Sequence, residues 1–447
     1  MDVVKADIIV VGCGFSGLAA ARALRESGAQ VVVLEGRARA GGRAYTLEVP
    51  GARLEMGAQW IGPGQPEIKR LAAEFGFEVL PRPSGGADKY CISLGDWAPT
   101  KVSSKPDYDL GEVADAIQRL DQLAQSQNLE SPASDSQSRA FDAETIAGWC
   151  ARELSPGAAS LVGRISEGFL GLPEQVSFLH SLIYAQANGG FASLLGIGEV
   201  RHDSEVLPQG LGNLAKCAAE SLGEMVRFNE PVTSIDYSDF DVKITTAANR
   251  RYAASAVIMA IPPAVAASIH FAPELPPKRL CIQRRYIPFS RLKFQVVFER
   301  AFWRDEGWSG NVSAAGFVTF DGSATEERGI LVGFFGAREA LDVWGLPKQE
   351  RARLAIDRLK MIYGAKAGAA LHYEDMFWLD ERFSHGCVAA PGPGVWTNFG
   401  AALRQRCGRI VWAGSEVALS MTGQVEGAIQ SGKSAAKQAL EFVGGVQ

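Results

Sequence analysis

Residues 7–28 read DIIVVGCGFSGLAAARALRESG, and this stretch decides the fold. The run DIIVVG at 7–12 is continuous and largely β-branched, as suits a strand buried on both faces. FSGLAAARALRESG follows with small and apolar residues at helical spacing. Gly12, Gly14 and Gly17 fall at the turn between the two and complete a GxGxxG pattern in its strand–turn–helix setting. Gly12 allows the tight turn, Gly14 lets backbone approach a pyrophosphate, and Gly17 permits close packing of helix on strand. The helix start, which carries Ser16, offers free N–H groups and a positive dipole end to phosphates. A second strand, AQVVVLE, ends on Glu35, 18 residues after Gly17, where a carboxylate can accept from a ribose hydroxyl. The unit predicts a Rossmann-like dinucleotide-binding domain and leaves FAD and NAD both open.

The chain has 447 residues, 47% hydrophobic and 21% charged, which suits an ordinary globular protein of two or three domains. A formal charge of -5 provides no electrostatic reason to expect nucleic acid or an anionic membrane as partner. The opening MDVVKADIIVVGCG lacks the basic region and cleavage site of a secretory signal, and KQALEFVGGVQ is neither a tail anchor nor a peroxisomal address. The expected location is the cytoplasm, without a membrane anchor. Seven cysteines are scattered with no CxxC pair, and the five histidines show no HExxH spacing. Neither a disulfide framework nor a metal site is expected.

LEGRARAGGRAYT at 34–46 resembles the ExxxxxGGR extension of flavoproteins, in which Arg43 would help hold the diphosphate and Arg37 would lie near the ribose and adenine. FNEPVTSIDY (228–237), which contains Val232, and SAVIMAIPPAV (255–265) read as strands flanking a polar hairpin region. QSQNLESPASDSQSRAFD (125–142) reads as a surface loop. GRIVWAGSEVA (408–418) reads as another buried strand, running into Gly414, Ser415 and Glu416. The long amphipathic helix TGQVEGAIQSGKSAAKQALEFV comes next, with Val425, Ile429, Ala436, Leu440 and Val443 on one face. Its start near Thr422 to Gln424 would favour the negative charge of a reduced flavin.

These segments, together with LEMGAQWIGPGQ (54–65), PEQVSFLHSLIYAQANGG (173–190), YIPFSRLKFQVVFERAFW (286–303) and FWLDERFSHGC (377–387), resemble the flavin monoamine oxidase family along nearly the whole chain. The resemblance implies an α/β fold with a discontinuous FAD-binding domain of residues 1–80, 206–280 and 384–447. An inserted α+β substrate domain would comprise 81–205 and 281–383. Gly57, Ala58, Gln59, Trp60 and Val425 join the cofactor-binding residues on the same ground. Lys293, in SRLKFQ, falls at the family's lysine that holds a water close to flavin N5, and Trp378 is the second catalytic candidate.

Cys387 matches the cysteine that carries FAD as an 8α thioether, with Gly386 giving the ring unhindered approach; a free cysteine beside noncovalent FAD is the alternative. The family's paired aromatic rings are replaced by Val388 and Gln424. Losing that cage puts simple arylalkyl amines in doubt and leaves room for bulkier, cyclic or polyfunctional ones. Glu167 is a candidate for holding a second cationic group, with a solvated helix glutamate as the bland reading. Cys91, Trp97, Phe169, Tyr184 and Phe334 are candidates for the cavity lining, or ordinary core.

The expected activity is FAD-dependent amine oxidation. A hydride passes from the amine α-carbon to flavin N5, the imine hydrolyses to a carbonyl product, and O2 becomes H2O2. The expected partners are a small-molecule amine and O2, and a homodimer stays open. The competing readings are an L-amino acid oxidase or other dehydrogenase or desaturase of the same superfamily, and a catalytically silent FAD-binding protein. An amino acid oxidase needs an arginine for the substrate carboxylate, and the sequence alone does not place one.

Overall fold

A computed structural model of the chain describes residues 3–83, 85–93, 99–105, 109–195, 204–314, 316–325 and 327–443, so Trp97 lies outside the described residues. The strand Ile8–Val11 lies at the centre of a five-stranded parallel sheet ordered Val226–Arg227, Val31–Leu34, Ile8–Val11, Ala256–Met259, Ile410–Trp412. The two-residue period of a strand divides its side chains between two cores. Ile8 and Val10 join Val33, Ile258 and Val411 against helices, whereas Ile9 and Val11 join Val32, Met259 and Trp412 against a second sheet.

On the helical face, Phe15–Glu26 packs against Val425–Leu440. The contact is made backbone to backbone. A Cβ added at Gly432 would lie 2.1 Å from the Ser16 carbonyl oxygen. The terminal helix begins after Gln424; Ile429 and Ala436 are buried in the core, and Val425, Leu440 and Val443 pack against it.

The second sheet runs Val4–Lys5, Arg251–Ala254, Val242–Thr246, Val232–Tyr237, His270–Ala272. The region expected as a polar hairpin therefore supplies two paired strands, whose inward residues Val242, Ile244, Tyr252 and Ala254 are buried. The first expected strand starts at Val232 rather than 228, because Asn229 takes a left-handed φ of 58° and interrupts the extended run. The second expected strand, with its Pro-Pro stop, runs Ala256–Met259 and ends before Pro262, after which the short helix Pro263–Ala266 begins.

A third, seven-stranded sheet follows the order His372–Met376, Leu292–Phe298, Gly329–Phe335, Phe317–Asp321, Trp308–Ala314, Ala87–Ser93, Pro99–Ser103. All its pairings are antiparallel except that of Trp308–Ala314 with Ala87–Ser93. The helices Leu110–Gln125, Pro156–Phe169 and Phe178–Ala187 share a separate core containing Leu120, Ile165 and Phe178. Part of the expected surface loop at 125–142 is the helix Ser136–Asp142, capped by Asp135. Its last residue, Asp142, is fully buried and accepts from Ser177 Oγ and Thr397 N at 2.7 Å each. A polar composition hid this helix because its anchor is a hydrogen-bonded carboxylate. Among the described residues, no helix is long and apolar enough to cross a membrane, and no cluster of His, Cys, Asp and Glu could hold a metal ion.

Candidate active site

A cavity of about 970 Å³ runs from the Gly12–Phe15 turn, past Lys293, to the helix Pro156–Phe169. Its first end is a cradle made by glycine. Gly12 has a φ of 102°, and a Cβ there would lie 2.5 Å from Ala260 O. Gly17 sits behind the cavity wall, where a Cβ would come within 1.9 Å of Gly12 O, so its role is helix-on-strand packing. Gly14 meets Gly42, whose added Cβ would be 3.3 Å from Gly14 Cα, and the facing backbones stay open. The helix that begins at Phe15 has no acidic residue in its first turn, and the buried Ser16 Oγ has no protein hydrogen-bond partner. Donors and a positive helix end thus converge where a diphosphate would lie.

Further along, Glu35 accepts from Cys13 N at 2.7 Å and Arg37 N at 2.9 Å, which fixes its carboxylate at the end of the second strand. Burial, and then the charge of Glu35, push the Cys13 thiol up, consistent with a packing residue. Glu230 and Val232 line the same stretch, and one buried carboxylate oxygen of Glu230 has no partner. Acceptors for ribose hydroxyls beside donors for phosphate fit an adenine dinucleotide such as FAD.

The two arginines are not free. Arg37 is paired with Glu381 and donates to Ser384 Oγ at 2.8 Å. Arg43 is bound to Glu416 at 2.6 Å, to Ser415 Oγ at 3.1 Å and to the Cys387 carbonyl, and so ties the cradle to the segment that carries Cys387. Burial works against the Glu416 charge, but Arg43 and the Ser415 hydroxyl outweigh it and hold the carboxyl below the usual carboxylate range. Gly414 precedes this pair with a φ of 142°. Gln424 and Val425 bring the start of the terminal helix to the same cavity.

Lys293 is buried on the strand Leu292–Phe298. Its Nζ donates to Gly57 O at 2.9 Å and Gln59 Oε1 at 2.8 Å, between the rings of Trp60 and Phe334 at 5.7 and 5.8 Å. Burial pushes its pKa down to about 8, opposed by Glu55. Glu55 is itself pushed up by burial, against the hydrogen bond from Thr46 and the charge of Lys293. Trp378 Nε1 donates to Met56 O at 3.0 Å, and its ring packs where a Gly57 side chain would go. It therefore braces the segment Met56–Ala58–Gln59–Trp60 that carries the acceptors of Lys293. Cys387 has an accessible side chain that lines the cavity, set back from the outer surface of the protein. Burial raises its thiol pKa, while Arg43, Lys293 and Arg291 favour the thiolate.

At the far end Tyr184, Phe169, Phe334, Val388 and Glu167 all line the cavity. Gln424 Nε2 lies 3.4 Å from Tyr184 OH, and Val388 pairs with Phe289. Glu167 forms an ion pair with Arg338 at 3.4 Å. Cys91 is not among the lining residues; it belongs to the buried core with Leu292 and Phe294.

Sequence reasoning missed three neighbours. Glu55 sits within a quoted motif but becomes relevant only through its charge on Lys293. His180 accepts from Trp396 Nε1 at Nδ1, so its Nε2–H donates to Ala389 O, two residues past Cys387. Burial pushes it down to about 4, so this prop stays neutral. Arg291 enters the cavity beside Phe334. Its position two residues before Lys293, on the same side of an extended chain, was the available signal.

Comparison with known proteins agrees with this geometry. Residues 15–440 match the family model for flavin-containing amine oxidoreductases. A Mycobacterium tuberculosis protein named as a flavin-containing monoamine oxidase, AofH, is 35% identical over 446 residues, covering 97% of this chain and 96% of that one. The L-amino acid dehydrogenase of Synechocystis is 30% identical over 96% of this chain and 94% of its own. The cyclohexylamine oxidase structure from Brevibacterium oxydans superposes with a TM-score of 0.90 at 29% identity, covering 98% of this chain and 99% of that one. With its glycine cradle, buried lysine and cysteine on one cavity, the chain belongs to the flavin-containing amine oxidoreductases.

Proposed function

We propose that the chain oxidises a small-molecule amine with bound FAD and O2. The observation that carries the reading is that Lys293 and Cys387 open onto the same enclosed space as the dinucleotide cradle. FAD, when bound, supplies the redox chemistry: it accepts a hydride from the amine α-carbon, leaving an imine for water to hydrolyse, and passes two electrons to O2 to give H2O2.

The protein's own contribution is orientation and charge. An ammonium has three donors. Gly57 O and Gln59 Oε1 take two from Lys293, which leaves the third for a water at the reacting centre. Trp378 keeps Met56 and Gly57 in place, and the positive end of Val425–Leu440 favours the electron-rich state of the cofactor. The Glu416–Arg43 pair fixes the Cys387 backbone against the cradle. We assign Cys387 Sγ as the point of covalent attachment. The same reading takes residues 1–80, 206–280 and 384–447 as the FAD domain, with 81–205 and 281–383 covering its reactive face.

The test is a spectrum followed by chemistry. Flavin colour that stays with acid-precipitated protein, and is released in Cys387→Ala, supports the linkage; colour released from the wild type refutes it. Anaerobic bleaching by an amine, with peroxide formed on admitting air, supports the oxidase. Bleaching without peroxide replaces O2 by another acceptor, and a flavin that no amine bleaches removes the enzymatic reading.

A further inference from the structure

Arg291 is a cation in the cavity that the chemistry at Lys293 does not use. It immediately precedes the strand Leu292–Phe298, and its guanidinium carbon lies 4.4 Å from the centre of the Phe334 ring. Lys293 Nζ lies 5.8 Å from the same ring, so one aromatic side chain neighbours both the reacting end and a second positive group. Arg291 Nη1 lies against the last turn of Pro156–Phe169, 3.7 Å from where a Gly168 side chain would begin. The C-terminal end of that helix offers the cation partial compensation.

Arg291 lacks, among the described residues, a partner for its donors. Among the described residues, no carboxylate lies within ion-pair distance of it and no acceptor takes a hydrogen bond from its side chain. The other deeply placed arginines differ. Arg37 faces Glu381, Arg43 faces Glu416, Arg351 faces Asp375, and Arg279 donates to the carbonyls of Ala402 and Leu403. Glu167 does act on Arg291 through its charge, but Glu167 is already held by Arg338, which also binds Glu174 at 2.6 Å. A guanidinium stays charged at any ordinary pH, and enclosing it with its fork of donors open is costly unless a ligand fills them.

We infer that Arg291 is a specificity-determining residue that binds the carboxylate of the substrate, so that the amine oxidised here is an amino acid. The inference rests on the proposed oxidase reading and names its substrate class. The planar fork matches a carboxylate in bidentate geometry, and Phe334 beneath it fixes the plane. A zwitterion would place its amine toward Lys293 and its carboxylate on Arg291, across the Phe334 ring. A diamine would do worse at the same place, since its second ammonium would meet Arg291 beside an acid already paired with Arg338.

The experiment compares matched pairs that differ by the carboxylate: 2-phenylethylamine with L-phenylalanine, and butylamine with 4-aminobutanoate. In the wild-type holoenzyme at least one carboxylated member should be oxidised in preference to its neutral partner. Arg291→Met should lower that ratio of kcat/KM values roughly a hundredfold, the size expected for removing one partner of a desolvated charge pair. Arg291→Lys should restore part of it. Benzoate provides a readout without turnover: it should perturb the wild-type flavin spectrum, less so in Arg291→Lys, and not in Arg291→Met that still holds flavin. Preference for both neutral amines, or a ratio unmoved in Arg291→Met, overturns the inference while leaving the oxidase intact. If no amine reduces the flavin yet benzoate binds through Arg291, the oxidase reading fails and the carboxylate site stands.

Discussion

Gly432→Ala tests the packing on which the cofactor cradle depends. The added methyl carbon would lie 2.1 Å from Ser16 O, 2.9 Å from Ser16 C and 3.1 Å from Ala19 Cβ. The first two are backbone atoms of the helix that carries the phosphate end of the cradle, and no rotamer change removes them. Two effects oppose each other. Alanine is the better helix former by about 1 kcal/mol, whereas forcing a methyl into a packed interface costs typically 1–3 kcal/mol and more when backbone must move. Relief requires the two helices to separate by about 1 Å, so the packing cost should win by about 2 kcal/mol. The shift would carry Ser16, and the variant should lose cofactor more readily. The assay is thermal release of flavin fluorescence, with Ser434→Ala, an exposed position on the same helix, as the comparison. A release midpoint several degrees below both wild type and Ser434→Ala is expected. A Gly432→Ala protein as stable as Ser434→Ala and equally loaded with flavin would refute the reasoning.

Further outcomes concern charge. Lys293 keeps its proton below about 8, and the Glu55 carboxylate favours that charge. Glu55→Gln should therefore move the alkaline limb of the flavin-reduction rate to lower pH, and Lys293→Met should abolish it; a limb unmoved in both variants removes Lys293 from the chemistry. Glu416 has a folded pKa below its unfolded one, so its contribution to stability is complete above the ordinary carboxylate range and lost as pH falls through the folded value. Glu416→Gln should destabilise by about 3 kcal/mol at neutral pH, because Arg43 keeps its charge without the partner. It should also flatten the acid side of the stability profile, as read by urea unfolding at pH 7 and pH 4. Equal losses from pH 7 to pH 4 in variant and wild type would show that the pair is not responsible.

How far the sequence reaches depends on how local the cause is. Strand, turn, helix and terminal acid between Ile8 and Glu35 are legible because each glycine and each β-branched residue acts on its immediate neighbours. The strands at 242–246 and 251–254 form the hairpin expected between the flanking strands, though their polar outward faces mask how deeply their inward residues are buried. The helix Ser136–Asp142 is hidden by a carboxylate buried on hydrogen bonds rather than on hydrocarbon. Arg291 was legible only in its placement, two residues before Lys293 on the same side of an extended chain. Its meaning lies in the acceptors that fail to reach it, and an unmet partner leaves no mark on the residues either side of it. Arg37 and Arg43 show the converse, since the sequence suggests arginines facing phosphate while the fold also supplies Glu381 and Glu416 from far along the chain.

The order of the parallel sheet bears on how the protein is made. Ile8–Val11 leaves the ribosome early, yet one of its neighbours in the sheet is Ala256–Met259, beyond which lies Ile410–Trp412. The helix covering the phosphate end is packed by Val425–Leu440. The nascent dinucleotide unit must therefore wait, with apolar strand edges unpaired, until residues 410–440 have been made. Flavin capture belongs after the synthesis of this last strand and helix, and scarcity of FAD should show itself as aggregation of chains that already contain them rather than as stalled or truncated ones.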